Sequence, residues 1–385
     1  MYNYNNKSIA FVINSLEGGG AERVICTLLR IMQDTFTAAN CKIYLVLLDD
    51  LPEEQQCPDY VEKVTLSAKG KLIPSYRQLN QWVKHNKPDL LVSFLTRSNI
   101  VSTIIGKRHK IPSVISERVN TSSHFATSRS GFISKLMVKM VYPQASCVVP
   151  VSQGVMQDLV ENYAVPQSKC TVMYNAYDQT VLAEKASQPV TDLPQKPYFI
   201  GIGRLVANKN FTLMIKAFAK SNSERDLVIL GQGPDMSVLK ALTIELGVDS
   251  RVHLLGFREN PYPYLAHADY LLSTSNAEGF PNGIAEAMCL GKPVIATNCQ
   301  SGPAEILTGD NTTQTTNYVA AQHGILCKLG DINAVSQAIN AMESGDNIAQ
   351  YRIKSQQRAA SFTYQSMQIT FINLVQKVMT TNLKV

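Results

Sequence analysis

At 385 residues, with 45% apolar and 17% charged side chains, the chain has a globular mix that is long for one domain and comfortable for two cores. Its eight cysteines, at 26, 41, 57, 147, 170, 289, 299 and 327, show no C-x-x-C spacing, which argues against a zinc site or a disulfide frame and reads as reduced cytosolic thiols. The net charge of +6 hides an asymmetry: residues 60–140 carry 14 Lys and Arg against Glu62, Asp89 and Glu117, a balance of +11, so the other 304 residues carry −5.

The first apolar run, 9–13, is far shorter than the ~20 residues of a spanning helix or the core of a signal peptide, so a cytoplasmic protein is expected. It leads into Asn14-Ser15-Leu16-Glu17-Gly18-Gly19-Gly20-Ala21-Glu22-Arg23, after which Val24, Ile25, Leu28, Leu29 and Met32 recur at helical spacing. This is strand, glycine-rich loop, helix. A dinucleotide fingerprint would need Gly where Arg23 stands, so the Rossmann cofactor reading is weak. The alternation continues through 42–48, 61–66, a helix at 75–85, then 89–94, a helix at 98–107, and 112–116, with strands at 147–152 and 169–175 closing the first half. Such apolar strands suit a parallel sheet covered on both faces. In the basic region, Phe132-Ile133-Ser134-Lys135-Leu136-Met137-Val138-Lys139-Met140 interleaves lysines with apolar residues, which favours an anionic membrane surface over nucleic acid. The plain alternative is a core-packed helix with solvated lysines.

Residues 185–197 hold three prolines and little periodicity, and read as a linker. The pattern then restarts at 198–205, with a helix to 220 and strands at 226–230, 251–256, 270–275, 293–297 and 324–328, and is helical from about 351. Two stretches of this half carry chemistry. Gly203-Arg204-Leu205-Val206-Ala207-Asn208-Lys209-Asn210 sets two cations at a strand end, where open α/β sheets bind ligands. Glu278-Gly279-Phe280-Pro281-Asn282-Gly283-Ile284-Ala285-Glu286 sets two carboxylates around a tight loop that opens a helix, a place where backbone amides can meet an anion and a carboxylate can accept from a vicinal diol. A solvated acid at each end of a helix cap is the ordinary alternative.

The acidic stretch and the run Ala287-Met288-Cys289-Leu290-Gly291-Lys292-Pro293-Val294-Ile295-Ala296 after it resemble the E-x7-E signature of the retaining GT-B glycosyltransferases of glycosyltransferase family 4 (group 1 type). The stretch from Gly203 to Asn210 resembles their G-R-L-x-x-x-K-N element, and Gly19-Gly20-Ala21-Glu22-Arg23 their first loop. The resemblance implies an α/β GT-B fold of two Rossmann-like domains facing each other across a cleft, an acceptor-side domain at 1–190 with a C-terminal helix (about 362–385) packing back on it, and a donor domain at 191–361. It implies catalytic roles for Arg204, Lys209 and Glu278. Donor contacts fall on Gly19, Gly20, Gly203, Phe257, Arg258, Phe280, Pro281, Asn282, Gly283 and Glu286, with Glu286 on the ribose. Where many members carry a donor-sugar histidine after Ser-Glu, Arg118 follows Ser116-Glu117, with His124 nearby. No Asp-x-Asp occurs, so no metal and no cofactor are expected. The implied reaction moves a hexose or N-acetylhexosamine, from a UDP-sugar in preference to a GDP-sugar, to a lipid-linked glycan in surface polysaccharide assembly, by an enzyme peripheral on the inner face of the plasma membrane. A GT-B UDP-sugar epimerase and a non-catalytic sugar-nucleotide-binding protein are the competing readings.

Overall fold

The computed structural model describes residues 5–125 and 131–381. Arg129, counted in the basic balance, and residues 382–385 of the expected last helix lie outside the described residues. The chain divides into two compact units, Met1–Ala176 with Tyr364–Val385, and Tyr177–Thr363. Residues 177–190 go with the second unit: the Tyr177 amide donates to Phe362 O at 2.8 Å, and the sequence-expected linker lies inside that unit.

The first unit is built on a six-stranded parallel sheet in the order β3-β2-β1-β4-β5-β6, with β1 Ser8–Ile13, β2 Lys42–Leu47, β3 Glu62–Thr65, β4 Leu90–Phe94, β5 Ser113–Glu117 and β6 Cys147–Pro150. Because side chains alternate along a strand, Ile9, Phe11 and Ile13 face one layer of helices while Ala10 and Val12 face the other. The first layer contains Gly20–Ile31 and the last helix, Tyr364–Thr381, whose Phe371 stacks on Phe11 at 6.0 Å and meets Phe36 edge-on at 6.5 Å. Gln368 Nε2 donates to Ile31 O at 2.9 Å in the same layer. The second layer is formed by Leu72–Asn86 and Thr96–His109 through Leu79, Val83, Val101 and Ile105. The edge strand β3, with sequence EKVT, is the one strand that departs from the expected apolar run, because an edge leaves its side chains in water. Residues 169–175 do not form the expected strand. They run beside β6, with Thr171 N bonded to Val148 O, Met173 N to Pro150 O and one isolated parallel bridge between Val148 and Cys170, after a short 3-10 turn at Gln167–Lys169.

The second unit repeats the plan with seven strands in the order β12-β13-β11-β10-β7-β8-β9: β7 Tyr198–Ile202, β8 Asp226–Leu230, β9 Val252–Gly256, β10 Leu271–Ser273, β11 Val294–Thr297, β12 Tyr318–Ala320 and β13 Ile325–Cys327. All pairings are parallel except β12 with β13. Phe199, Leu227, Ile229, Leu272 and Ile295 pack against Leu213, Met214, Phe218, Val335 and Ile339 of the covering helices, and Phe199 lies flat on Tyr270 at 4.7 Å. No helix among the described residues is long and apolar enough to cross a membrane.

Candidate functional site

In the second sheet the order β10-β7-β8-β9 sets the carboxyl ends of four strands side by side, so the loops that follow them are neighbours. Gly203 and Arg204 leave β7, and Phe257 and Arg258 leave β9. The segment from Thr274 to Glu286 leaves β10. Between them, after β8, stands Gly231-Gln232-Gly233, which the sequence reading did not single out. Gly231 has φ +149, and a Cβ there would fall 1.8 Å from the Gly203 carbonyl oxygen, so the backbones of the first two loops meet only because this residue has no side chain. The Gly203 amide donates to Leu230 O at 3.0 Å and the Leu205 amide to Gln232 O at 2.9 Å, which holds Arg204 between two anchored neighbours. Its own guanidinium is exposed and has no hydrogen-bond or ion-pair partner among the described residues.

Lys209 and Glu278 come together. Lys209 Nζ lies 2.5 Å from Glu278 Oε1, a contact in which the acid is mostly buried and the amine about a quarter exposed. Sequence reasoning gave these residues separate partners, a diphosphate and a sugar. The structure makes each the orienting neighbour of the other. The Glu278 charge is also felt by the buried Cys299 thiol, which burial first and Glu278 second push up to about 12.

Asparagines lock the two loops in this register. The Asn276 amide donates to Asn208 O at 2.8 Å, and the Asn208 side chain returns a bond to Ala277 O at 2.9 Å. Asn276 Nδ2 reaches Ala207 O at 3.0 Å. Asn210, with φ +50, caps the helix Phe211–Lys220 by accepting from the Leu213 amide and donates to Asn276 Oδ1 at 3.1 Å. Thr274 Oγ1 donates to Lys209 O and Asn210 O. Motif matching did not flag these residues as carrying chemistry. The available signal was asparagine on both sides of Lys209, a residue type that bonds its own backbone surroundings.

The helix Asn282–Cys289 begins inside the acidic stretch, after Pro281. Glu286 is half-buried one turn in, on the face shared with Asn282, whose Oδ1 accepts from the Tyr177 hydroxyl at 2.6 Å. Gly283 is half-buried in the first turn. The Phe280 side chain is buried edge-on against Phe362 at 5.5 Å, so what it can offer a ligand is backbone. Gly302, at φ +94, closes the loop from behind: a Cβ there would lie 2.3 Å from Pro281 Cδ. Phe257 is largely exposed beyond Gly256, whereas Arg258 is engaged, pairing with Asp192, donating to the Tyr264 hydroxyl at 2.9 Å and lying over that ring.

The remaining sequence-expected positions belong to the first unit. Gly19 caps the helix Gly20–Ile31, and both Gly19 and Gly20 are exposed. Arg118 is buried, with its guanidinium donating to Ser116 Oγ and Met173 O at 3.3 Å and to the Asn175 side chain. Beside it a cavity of about 460 Å³ is lined by Asn14, Arg97, Glu117, His124 and apolar residues that include Phe125 and Met137. Burial holds His124 toward its neutral form, and Arg97 is paired with Asp49. Glu117, fully buried, is pushed up to about 7 by burial despite accepting from the Tyr142 hydroxyl at 2.6 Å and the Arg118 amide at 3.1 Å.

Residues 18–181 match the family Glycosyltransferase Family 4, and residues 184–359 match Glycosyl transferases group 1. The chain belongs to the GT-B glycosyltransferases of the group 1, family 4 type. It is 29% identical over 370 residues, covering 92% of this chain and 96% of the relative, to the N-acetylgalactosamine-N,N'-diacetylbacillosaminyl-diphospho-undecaprenol 4-alpha-N-acetylgalactosaminyltransferase of Campylobacter jejuni. It is 23% identical over 318 residues to the lipopolysaccharide 1,6-galactosyltransferase of Salmonella typhimurium, covering 78% of this chain and 82% of that one. The crystal structure of Anabaena HepE in complex with UDP superposes with a TM-score of 0.75 at 20% identity, over 96% of this chain and all of that one, which shows the shared GT-B fold. As a member of the family the protein is an enzyme, a glycosyltransferase.

Proposed function

We propose that this glycosyltransferase moves a hexose or N-acetylhexosamine from a UDP-sugar to a lipid-linked glycan during polysaccharide assembly, with retention at the anomeric carbon and without a divalent metal or cofactor. The observation that carries the reading is the pairing of Lys209 with Glu278 at 2.5 Å, with Arg204, whose guanidinium has no partner among the described residues, on the same loop after β7. The acceptor class is supported by the Campylobacter relative, named for a diphospho-undecaprenol substrate, and the nucleotide by the UDP complex of HepE.

In this reading the Arg204 fork and the Lys209 point charge take the diphosphate and stabilise the negative charge that grows on it as the glycosidic bond breaks. They supply the compensation that a bound cation gives elsewhere. Glu278 holds Lys209 in place and offers its second oxygen to sugar hydroxyls. Glu286 accepts from the ribose diol, and the backbone from Phe280 to Gly283, with N–H donors at Phe280, Asn282 and Gly283, faces the donor. The departing phosphate oxygen receives the acceptor proton on the face it leaves, so retention needs no protein base. Phe257 is available to flank the base, and Arg118, tied to Ser116, Met173 and Asn175, acts through the shape of the first unit.

Turnover in EDTA tests the metal assignment: full activity is expected, and loss on chelation that Mg²⁺ or Mn²⁺ restores would refute it. UDP and GDP calorimetry tests the acids. Glu286→Ala is expected to weaken UDP binding by roughly 1.5–3 kcal/mol, the worth of a charge-assisted hydrogen bond. Glu278→Ala is expected to lower kcat while binding UDP within a few-fold of wild type. Unchanged UDP affinity in Glu286→Ala would remove its ribose role.

A further inference from the structure

The helix Gly131–Val141 does not bury the apolar stripe that its sequence offers. At about 100° per residue, Phe132, Leu136, Met140 and Ile133 fall within one arc of roughly 100°, and they are 75%, 47%, 54% and 63% exposed. The residues that anchor the helix to the fold, Gly131, Val138 and Val141, lie on the opposite side. Met137, between those two faces, and Ser134, on the anchoring side, line the first-unit cavity. Lys135 and Lys139 border the exposed arc, and neither forms an ion pair among the described residues. A third cation sits at the end of the helix: Lys107 Nζ donates to Gln144 Oε1 at 2.7 Å, and Gln144 donates to Met140 O at 2.6 Å.

Four large apolar side chains left in water, flanked by free lysines, fit an interface in which apolar groups enter among acyl chains while amines meet phosphates. The geometry points to this face of Gly131–Val141 as the surface on which the enzyme rests on an anionic lipid bilayer. A second copy of the chain fits less well. A stable protein interface covers ~800 Å² per partner, whereas this helix is about 16 Å long, and a two-fold contact would bring Lys135 and Lys139 against themselves. This surface extends the lipid-linked acceptor reading to the place where the enzyme meets its acceptor. The two are tested apart, since transfer to a detergent-dispersed acceptor needs no vesicle.

The experiment is sedimentation of the full chain with phosphatidylglycerol-containing vesicles and with phosphatidylcholine vesicles. Binding is expected to the anionic vesicles and to fall as salt shortens the screening length. Lys135→Glu/Lys139→Glu is expected to weaken it at least about tenfold, from the contribution of each basic residue near such a surface. Phe132→Ser/Leu136→Ser is expected to weaken it similarly, with unchanged circular dichroism and UDP affinity showing that both variants fold. Equal partition to both lipids, or wild-type binding by either variant, overturns the proposal. So does a concentration-dependent dimer that Phe132→Ser/Leu136→Ser dissociates, which would assign the face to a second copy.

Discussion

A carboxyl that loses water without gaining a neutralising partner holds its proton, and Glu117 stands in that position: among the described residues no cation is bonded to it, only the Tyr142 hydroxyl, Thr96 and backbone amides. Burial is the largest influence on Glu117, raising it from 4.5 to about 7. The folded state therefore holds its proton more tightly than the unfolded chain. The stabilising contribution is complete below about 4.5 and is lost as pH rises through about 7. A shift of this size corresponds to roughly 3 kcal/mol across that window. Glu117→Gln, which carries no proton to lose, is expected to flatten the fall of melting temperature between pH 5 and 8. Equal slopes in variant and wild type would show that Glu117 is ionised throughout. The carboxyl was visible in the sequence as part of Ser116-Glu117-Arg118, but its burial was not. Nor was it legible that Arg118, read as a donor-sugar contact, turns its guanidinium to Ser116, Met173 and Asn175.

At the scale of elements, what was legible followed from periodicity and what was not followed from edges and loops. Apolar runs at 9–13, 90–94 and 198–202 became central strands because both faces of these sheets are covered, which leaves no polar alternation to confuse the reading. The stretch 169–175 looked the same and is not a strand, since its pairing with β6 stops at one isolated bridge, Val148 with Cys170. The helix Gly131–Val141 showed its amphipathic pattern in sequence, but which of its sides faces water was left open. Within the loops proposed to hold the donor, the charged residues announced themselves and the scaffold did not, because Gly231, Gly302 and Asn276 act through backbone approach. Gly302→Ala tests that scaffold. With φ at +94 and a Cβ 2.3 Å from Pro281, the alanine must displace the Gly279–Pro281 loop. A loss of about 1–3 kcal/mol in stability is expected from such strain, together with at least a several-fold loss of UDP affinity. Undiminished UDP binding in a folded Gly302→Ala protein would mean that the loop's position is immaterial to the nucleotide.

For the molecule as a whole, the two units keep separate cores, and the last helix joins the first of them after the chain has built the second. Phe371, some 360 residues from Phe11, completes the aromatic cluster with Phe11 and Phe36. Its removal should therefore act on the first unit alone. Phe371→Ala empties a fully buried site, which typically costs about 3–5 kcal/mol, and is expected to lower one of two calorimetric transitions. Arg204, Lys209 and Glu286, the residues proposed to hold the nucleotide, all belong to the second unit, so UDP at a hundredfold excess over its Kd should stabilise the other transition by about 2.7 kcal/mol. Combining the two separates cause from coincidence: in Phe371→Ala the lowered transition should stay where it is when UDP is added, while the second still rises. A single transition that both perturbations move would show the units unfolding together. A UDP response confined to the transition that Phe371→Ala lowers would place the nucleotide on the first unit, and with it remove the roles assigned to Arg204, Lys209 and Glu286.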